Sequence, residues 1–212
     1  MPHAPDRSFF ARAPLVVARG LLGCVVSARG VTVRLTEVEA YAGPAGPAGT
    51  ADPASHAYRG PTPRSSVMFG PPGRLYVYLV YGMHWCANVV CGADGEAAAV
   101  LLRAGEVTTG AGLARERRPA ARSLHDLARG PAKLAGVLAL TGADTGLDLC
   151  APAAEITVLA GSPPATDVVR SGPRVGVSAA GDRPWRFWLA GEPTVSRYRP
   201  AGRRTAGPVV GG

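Results

Sequence analysis

The sequence lacks the features that mark a membrane or secreted protein. No apolar run is long enough to cross a bilayer. The amino terminus does not combine a charged head, a long apolar stretch and a small-residue cleavage site. We therefore expect an intracellular protein. The four cysteines include no CxxC pair and the four histidines are scattered, so we expect small buried cysteines and no metal site.

Lysine and aromatic residues are also scarce. Lys133 is the only lysine among 23 basic residues, and aromatic residues make up 6% of the chain. Lys133 falls in a predicted helix, and we see no lysine placed for a Schiff-base nucleophile. Arginine is abundant and gives a net charge of +8. This excess favours a polyanionic partner such as nucleic acid, although simple surface solubilisation explains the charge about equally well.

The order of predicted elements indicates a single α+β domain over residues 1–198. We expect a curved, mostly antiparallel sheet with flanking helices and a protruding β-hairpin. We expect the Gly/Pro/Arg-rich tail, 199–212, to be disordered. Helices are predicted at 10–22, 114–128 (interrupted at Pro119) and 130–140, and a long loop at 42–73. Strands are predicted on both sides of the turn at 28–30, and at 74–81, 84–91, 97–104, 155–161, 174–178 and 185–191.

Three tyrosines lie close together in the segment RLYVYLVYGMHWCANVV, residues 74–90. Because side chains alternate along a strand, Tyr76 and Tyr78 share a face. We expect Tyr76 to belong to a packed aromatic cluster. Tyr81 directly precedes Gly82 at the predicted hairpin turn, where a large ring has little core to enter. Exposed aromatic residues at such positions often contact partners.

The strand RLTEVEAYAG, residues 34–43, places Glu37, Glu39 and Tyr41 on one face. If this face lines a cleft, burial raises the pKa of a carboxyl group and prepares it for acid–base chemistry. If the face is exposed, the strand is an ordinary solvated one, and the pattern alone slightly favours that alternative. The loop SHAYRGPTPRSSVMFGPPG, residues 55–73, likewise suits phosphate contacts but alone is better explained as solvated.

Together the three segments suggest an enzyme that swings a base out of duplex DNA. Such an enzyme needs a positive surface, a side chain that fills the vacated space, aromatic walls and a carboxylate that activates water. TEVEAYAG, SHAYRGPTPRSSVMFGPPGRLYVYLVYGMHWCANVV and GEAAAVLLRAGE closely resemble the alkyladenine (3-methyladenine) DNA glycosylase family. GPAKLAGVLAL, PRVGVS and WRFWLAG resemble its later segments, and the similarity runs in order from about residue 10 to residue 198.

The resemblance implies roles for individual residues. Glu39 matches the residue that activates the attacking water, and Arg103 matches one that helps hold this water and the glutamate. Asn88 matches a pocket residue that discourages guanine by crowding its exocyclic amine. Tyr81 matches the side chain that enters the minor groove and fills the space of the extruded nucleotide. The residues that match the walls around the flipped base are Tyr41, His56 and Tyr78.

The resemblance also implies a monofunctional enzyme that hydrolyses the N-glycosidic bond without strand cleavage. Its substrates would be duplex DNA with 3-methyladenine, 7-methylguanine, hypoxanthine or ethenoadenine, and no cofactor or metal is implied. We expect a monomer. Candidate contacts to the DNA backbone are Arg64, Met83, His84 and Lys133. The sequence departs from the family in a longer Gly/Pro/Ala spacer over 42–55 and in His84, where the family often has an aromatic residue.

Two alternatives remain open. One is a non-catalytic DNA-binding module of the same fold, which the presence of Glu39 and Arg103 disfavours. The other is a sugar or nucleoside hydrolase that uses Glu37 and Glu39 as a carboxylate pair. An exposed Tyr81 would have no evident purpose in that enzyme.

Overall fold

The computed structural model describes residues 4–46, 49, 51–152 and 154–201. Four α-helices occur in these residues: α1 (Arg7–Phe10), α2 (Pro14–Leu21), α3 (Ala111–Arg117) and α4 (Pro131–Val137). The strands in this part of the chain are β1 (Val25–Ala28), β2 (Val31–Ala42), β3 (Leu75–Val80), β4 (His84–Val90), β5 (Ala98–Thr109), β6 (Ile156–Leu159), β7 (Val169–Gly172) and β8 (Arg186–Leu189). Short 3₁₀ turns occupy Ser66–Phe69, Leu124–Asp126, Gly142–Asp144 and Thr166–Val168.

The strands form one curled antiparallel sheet in the order β3-β4-β5-β2-β1-β6. Strand β8 also pairs with β2 and forms a hairpin with β7. Helices α2 and α4 pack against the central strands, and their buried side chains join those of the sheet in one apolar core. The predicted α+β class, the antiparallel sheet and the β3-β4-β5 meander are confirmed.

A β-bulge in β2 decides which side chains face away from this core. The pairing of β2 with β5 is irregular around Thr36, between the pairs Leu35–Gly105 and Glu37–Ala104. An extra residue in one strand reverses the alternation of the side chains that follow it. Leu35 therefore packs in the core before the bulge and Val38 after it. Glu37 and the alternate residues after it consequently point to the opposite side of the sheet.

A second, smaller apolar cluster lies outside the main core. It contains Tyr76 with Ala57 and Met68 from the segment between β2 and β3, together with Val90, Ala97 and Ala99. Tyr76 is 2% exposed, which confirms its predicted place in a packed cluster. This packing holds the segment around 55–69 against the sheet, beside the strand faces that carry the polar residues.

Several predicted elements differ from those observed. The predicted helix over 10–22 is confined to α2, because α1 ends at Phe10. The predicted helix over 114–128 overlaps α3, which begins earlier, at Ala111, and ends before Pro119. The predicted strand at 174–178 is wrong: these residues are irregular, and the strand is β7. Val175 and Val177 alternate as in a strand, but they line a cavity instead of packing in a sheet.

The remaining predictions concern the tail, membrane-spanning helices and the cysteines. Of the predicted tail, residues 202–212 lie outside the described part, while 199–201 are irregular. Within the described residues, no helix has the length and apolarity needed to span a membrane. The four cysteines are free thiols; Cys24, Cys86 and Cys91 are buried as expected, whereas Cys150 is partly exposed.

Candidate active site

A cavity of about 340 Å³ opens on the side of the sheet away from the main core. Strands β2 to β5 supply part of its wall, and the segments around 53–56 and 175–178, with Met68, Tyr81 and Pro131, supply the rest. The structure brings together in this lining all seven residues predicted for catalysis, the base pocket or intercalation: Glu39, Tyr41, His56, Tyr78, Tyr81, Asn88 and Arg103. The volume lies within the range of small-molecule sites.

Glu39 is fully buried in the cavity wall. Its Oε1 accepts a hydrogen bond from the backbone N–H of Val175 at 2.8 Å, and its Oε2 accepts one from the Tyr41 hydroxyl at 3.0 Å. Arg103 Nη1 lies 3.5 Å from Oε2. Burial raises the pKa of Glu39 above its ordinary value, while Arg103 and the two hydrogen bonds oppose this rise. A carboxyl group in this state suits proton transfer.

Glu37, two residues earlier, is equally buried but is saturated with donors. Its Oε1 accepts from Arg103 Nε at 2.9 Å, Arg186 Nε at 2.6 Å and Ser196 Oγ at 3.0 Å. Its Oε2 accepts from the Ser196 backbone N–H at 2.7 Å. Glu37 does not line the cavity described above. The two carboxylates therefore differ in role, since Glu37 anchors Arg103 and Arg186 and Glu39 faces the cavity.

His56 and Tyr78 contribute aromatic rings to the lining, and Tyr76 packs against both. The rings of Tyr76 and Tyr78 lie 5.3 Å apart, and the His56 ring meets Tyr78 edge-on at 4.5 Å. His56 Nδ1 lies 3.0 Å from the Tyr76 hydroxyl. Packing and the charge of Arg64 lower the pKa of His56 to about 4, although its exposure to solvent moderates the shift. His56 is therefore neutral at pH 7.

Asn88 closes the cavity from β4. Its side chain is 4% exposed, and Nδ2 donates to the backbone carbonyl of Tyr76 at 3.1 Å. This bond fixes the amide group, so a ligand meets a rigid side chain here. Cys86 lies beside it, and burial raises its thiol pKa to about 11, which keeps the thiol protonated.

The β3–β4 hairpin ends at the rim of the cavity. Tyr81 is 87% exposed and has a φ of +52°, which is unfavourable for a residue with a large side chain. Gly82 follows with a φ of +68°, and Met83 is 71% exposed. The structure thus places Tyr81 at the predicted hairpin tip, with Met83 and the exposed His84 beside it.

The other predicted backbone contacts lie outside the lining. Arg64 donates to the carbonyl of Leu79 at 3.2 Å, and its guanidinium lies 5.0 Å from the Tyr78 ring. Lys133, in the first turn of α4, forms an ion pair with Asp126. Pro131 of the same helix lines the cavity, so both cations lie close to elements that form the cavity.

Sequence reasoning missed a buried ion pair behind Tyr41. Arg174 bonds both oxygens of Asp52 at 2.7 and 2.8 Å and the carbonyl of Ala40 at 3.0 Å. Both side chains are 0% exposed. Asp52 also accepts from the backbone N–H of Ala42. This pair ties the long spacer to β2, so the spacer keeps His56 at the cavity. Asp52 stood in a Gly/Pro/Ala-rich segment without any motif of its own.

Comparison with known proteins agrees with this geometry. Residues 8–193 match the family described as Methylpurine-DNA glycosylase (MPG). A protein of Streptomyces avermitilis named "Putative 3-methyladenine DNA glycosylase" is 53% identical, over 97% of this chain and 100% of its own. Proteins with the same name from Frankia casuarinae and Mycobacterium tuberculosis are 53% and 51% identical; the matches cover 94% and 91% of this chain, and 96% and 93% of theirs.

Proposed function

The chain belongs to the methylpurine-DNA glycosylase family, and on that premise we propose that it is a monofunctional DNA glycosylase. It rotates a damaged purine out of duplex DNA into the cavity and hydrolyses the bond between the base and the sugar. The substrates are 3-methyladenine, 7-methylguanine, hypoxanthine and ethenoadenine. The observation that carries the proposal is Glu39, a buried carboxyl group with a raised pKa that lines the same cavity as Arg103 and the aromatic residues.

Each part of the site has a task in this proposal. Tyr41, Tyr78 and His56 stack on and contact the flipped base, each stack contributing roughly 1–3 kcal/mol. Tyr81 enters the minor groove and fills the space left in the helix, for which its exposed position at the cavity rim is suited. Arg64, Met83, His84 and Lys133 contact the DNA backbone.

In the chemical step, the oxygen of a water molecule attacks C1′ of the sugar as the bond from C1′ to the base nitrogen breaks. The bonding electron pair leaves with the base, and Glu39 takes a proton from the water. The Glu39 carboxylate is 0% exposed in the free protein, so the water must be admitted by a small shift of the side chains that cover it. Arg103 holds the carboxylate and the water.

We expect hydrolysis without strand cleavage because the one lysine of the chain is not placed for a Schiff base. A lyase of the Schiff-base type needs an unprotonated amine that can reach C1′. Lys133 is the only lysine of the chain, and it lies in α4 paired with Asp126. We therefore expect the product to be an intact strand with an abasic site.

We also expect the protein to act as a monomer, which sedimentation at assay concentrations would test.

Single-turnover excision from duplexes that carry one hypoxanthine, one ethenoadenine or one 7-methylguanine tests the proposal. We expect base release by the wild type and a loss of about 100- to 10,000-fold in Glu39→Gln, the usual contribution of a general base. Equal release by both proteins would remove Glu39 from the mechanism. If neither protein releases any of these bases but both bind the duplexes, the chain is a binding module. Release from free nucleosides alone would favour the nucleoside hydrolase.

A further inference from the structure

The wall of the cavity at Tyr41 has a pair of opposite charges behind it. The guanidinium of Arg174 lies 4.5 Å from the Tyr41 ring and 5.1 Å from the Trp185 ring, stacked between them. Tyr41 lines the cavity, whereas Arg174 is buried and is not part of the lining. The cavity therefore meets Tyr41 on a side that Arg174 does not cover. Asp52 lies beyond the ring and holds both Nη atoms of Arg174.

The charge behind the ring matters because the substrates of the proposed function differ in charge. Alkylation at N3 or N7 leaves a positive charge on the purine nucleotide, whereas hypoxanthine and ethenoadenine nucleotides are neutral. A cation attracts the face of an aromatic ring, but a second cation behind the same ring opposes that attraction. Arg174 alone would therefore disfavour an alkylated base. The carboxylate of Asp52 compensates this charge at close range.

We propose that the Asp52–Arg174 pair is a specificity device, in which Asp52 cancels the charge of Arg174 so that Tyr41 accepts cationic as well as neutral purines. This inference rests on the proposed function and deepens it. Asp52 and Arg174 are positioning residues, since they act through Tyr41 and do not touch the base. Arg183, whose Nη1 lies 3.8 Å from Asp52, contributes a further positive charge to the same group.

The effect can be measured as a ratio. The 7-methylguanine base carries one more positive charge than hypoxanthine when it enters the cavity. Each base leaves with the electron pair of its bond to the sugar, so the charge of each falls by one unit and the difference between them is kept. Competition between two differently labelled duplexes in one tube gives the ratio of their kcat/KM values. At an effective dielectric constant of about 20, the loss of one unit charge at a distance on the order of 10 Å changes such a ratio by about tenfold.

The test uses Asp52→Asn, which keeps the size of the side chain and removes its charge. We expect the excision of 7-methylguanine to fall about tenfold relative to hypoxanthine. The double variant Asp52→Asn/Arg174→Gln removes both charges, and we expect its ratio to return to the wild-type value. Arg183→Gln removes a cation and should shift the ratio slightly the other way. Misfolding lowers both rates together and leaves the ratio unchanged, so a purely structural role predicts no change in any variant.

The outcomes separate this inference from the proposed function. If the wild type releases bases but the ratio stays constant in Asp52→Asn, or the double variant does not restore it, the inference is wrong and the proposed function stands. If the wild type excises only one of the two bases, the rate per active site on that base is compared across the same variants. If Asp52→Asn does not fold, Arg183→Gln provides the test. A rise in the excision of 7-methylguanine relative to hypoxanthine supports the inference, and no change or a fall contradicts it. A wild type that releases neither base removes both proposals.

Discussion

The two neighbouring glutamates of β2 allow the same substitution to be made in two opposite environments. Glu37→Gln replaces a carboxylate that accepts four hydrogen bonds, two of them from Arg103 and Arg186. The amide oxygen of Gln can still accept from the arginines, but its NH₂ group then faces the backbone N–H of Ser196. Arg186 loses its counter-charge, Arg103 keeps only the more distant Glu39 carboxylate, and one donor loses its acceptor.

The cost of Glu37→Gln should therefore be large. Breaking a buried ion pair by removing one partner costs about 3–5 kcal/mol. For a chain of this length, each kcal/mol lowers the unfolding midpoint by roughly 2–4 °C. The two ranges together correspond to a drop of roughly 6–20 °C, which thermal and urea unfolding, followed by tryptophan fluorescence and by circular dichroism, would measure.

Glu39→Gln is the matched control and should be close to neutral for stability. The amide oxygen can accept from the Val175 N–H and the amide NH₂ can donate to the Tyr41 hydroxyl, so both existing partners are retained. Because burial raises the pKa of Glu39, the ionised carboxylate destabilises the folded protein. Removing this charge offsets the weaker contact with Arg103. We expect a change within about 1 kcal/mol, of either sign.

The pH dependence gives an independent check of this argument. The folded pKa of Glu39 lies above the unfolded one, so the destabilising effect of its charge is complete above the folded pKa and disappears as the pH falls toward the ordinary glutamate pKa of 4.5. Wild type should thus gain stability relative to Glu39→Gln as the pH is lowered through this range. Equal losses of stability in the two variants at pH 7 would refute the division of roles between Glu37 and Glu39.

Three further predictions concern the hairpin, the pH profile and the pocket. Tyr81→Gly should stabilise the fold by up to about 1 kcal/mol, because glycine adopts the φ of +52° at this position without strain. The same variant should lower excision from duplex DNA about tenfold, because the ring is lost. Tyr81→Ala keeps the backbone strain, so it should lose excision without gaining thermal stability. The single-turnover rate should rise with pH through the raised pKa of Glu39, and this rise should be absent in Glu39→Gln. Asn88→Ala should increase the release of unmodified guanine, measured on undamaged duplexes, because it empties the space that the fixed amide fills.

Sequence patterns predicted the placement of side chains well where that placement depends on local geometry. The twofold alternation of a strand correctly placed Glu39 and Tyr41 on one face, since no bulge lies between them. The pattern gave no means of telling Glu37 from Glu39, although they share that face. Their difference comes from Arg186 and Ser196, which are 149 and 159 residues away along the chain. Partners at such separations are set by the folded topology and leave no local signal.

The segment 174–178 shows the opposite kind of failure. Its alternating valines are typical of a strand, but the deciding residue is Arg174, whose partner Asp52 is 122 residues away. An arginine in an apolar pattern normally indicates a solvated position. Here Asp52 and two aromatic rings compensate the charge of Arg174 inside the protein, and the residues that follow it are irregular. In this irregular segment the Val175 N–H donates to Glu39.

The distribution of hydrogen bonds separates the two buried carboxylates of β2. Burying two like charges close together is costly unless each is compensated. Glu37 accepts the shorter bond from Arg103 together with those from Arg186 and Ser196, so under the proposed function the contacts that hold the fold are ones that the reaction does not disturb. Glu39 receives the more distant nitrogen of the same guanidinium, at 3.5 Å instead of 2.9 Å. Burial raises the pKa of Glu39, and this partial compensation by Arg103 does not reverse the rise. A variant that strengthened the contact between Arg103 and Glu39 would stabilise the carboxylate, lower its pKa and weaken it as a base.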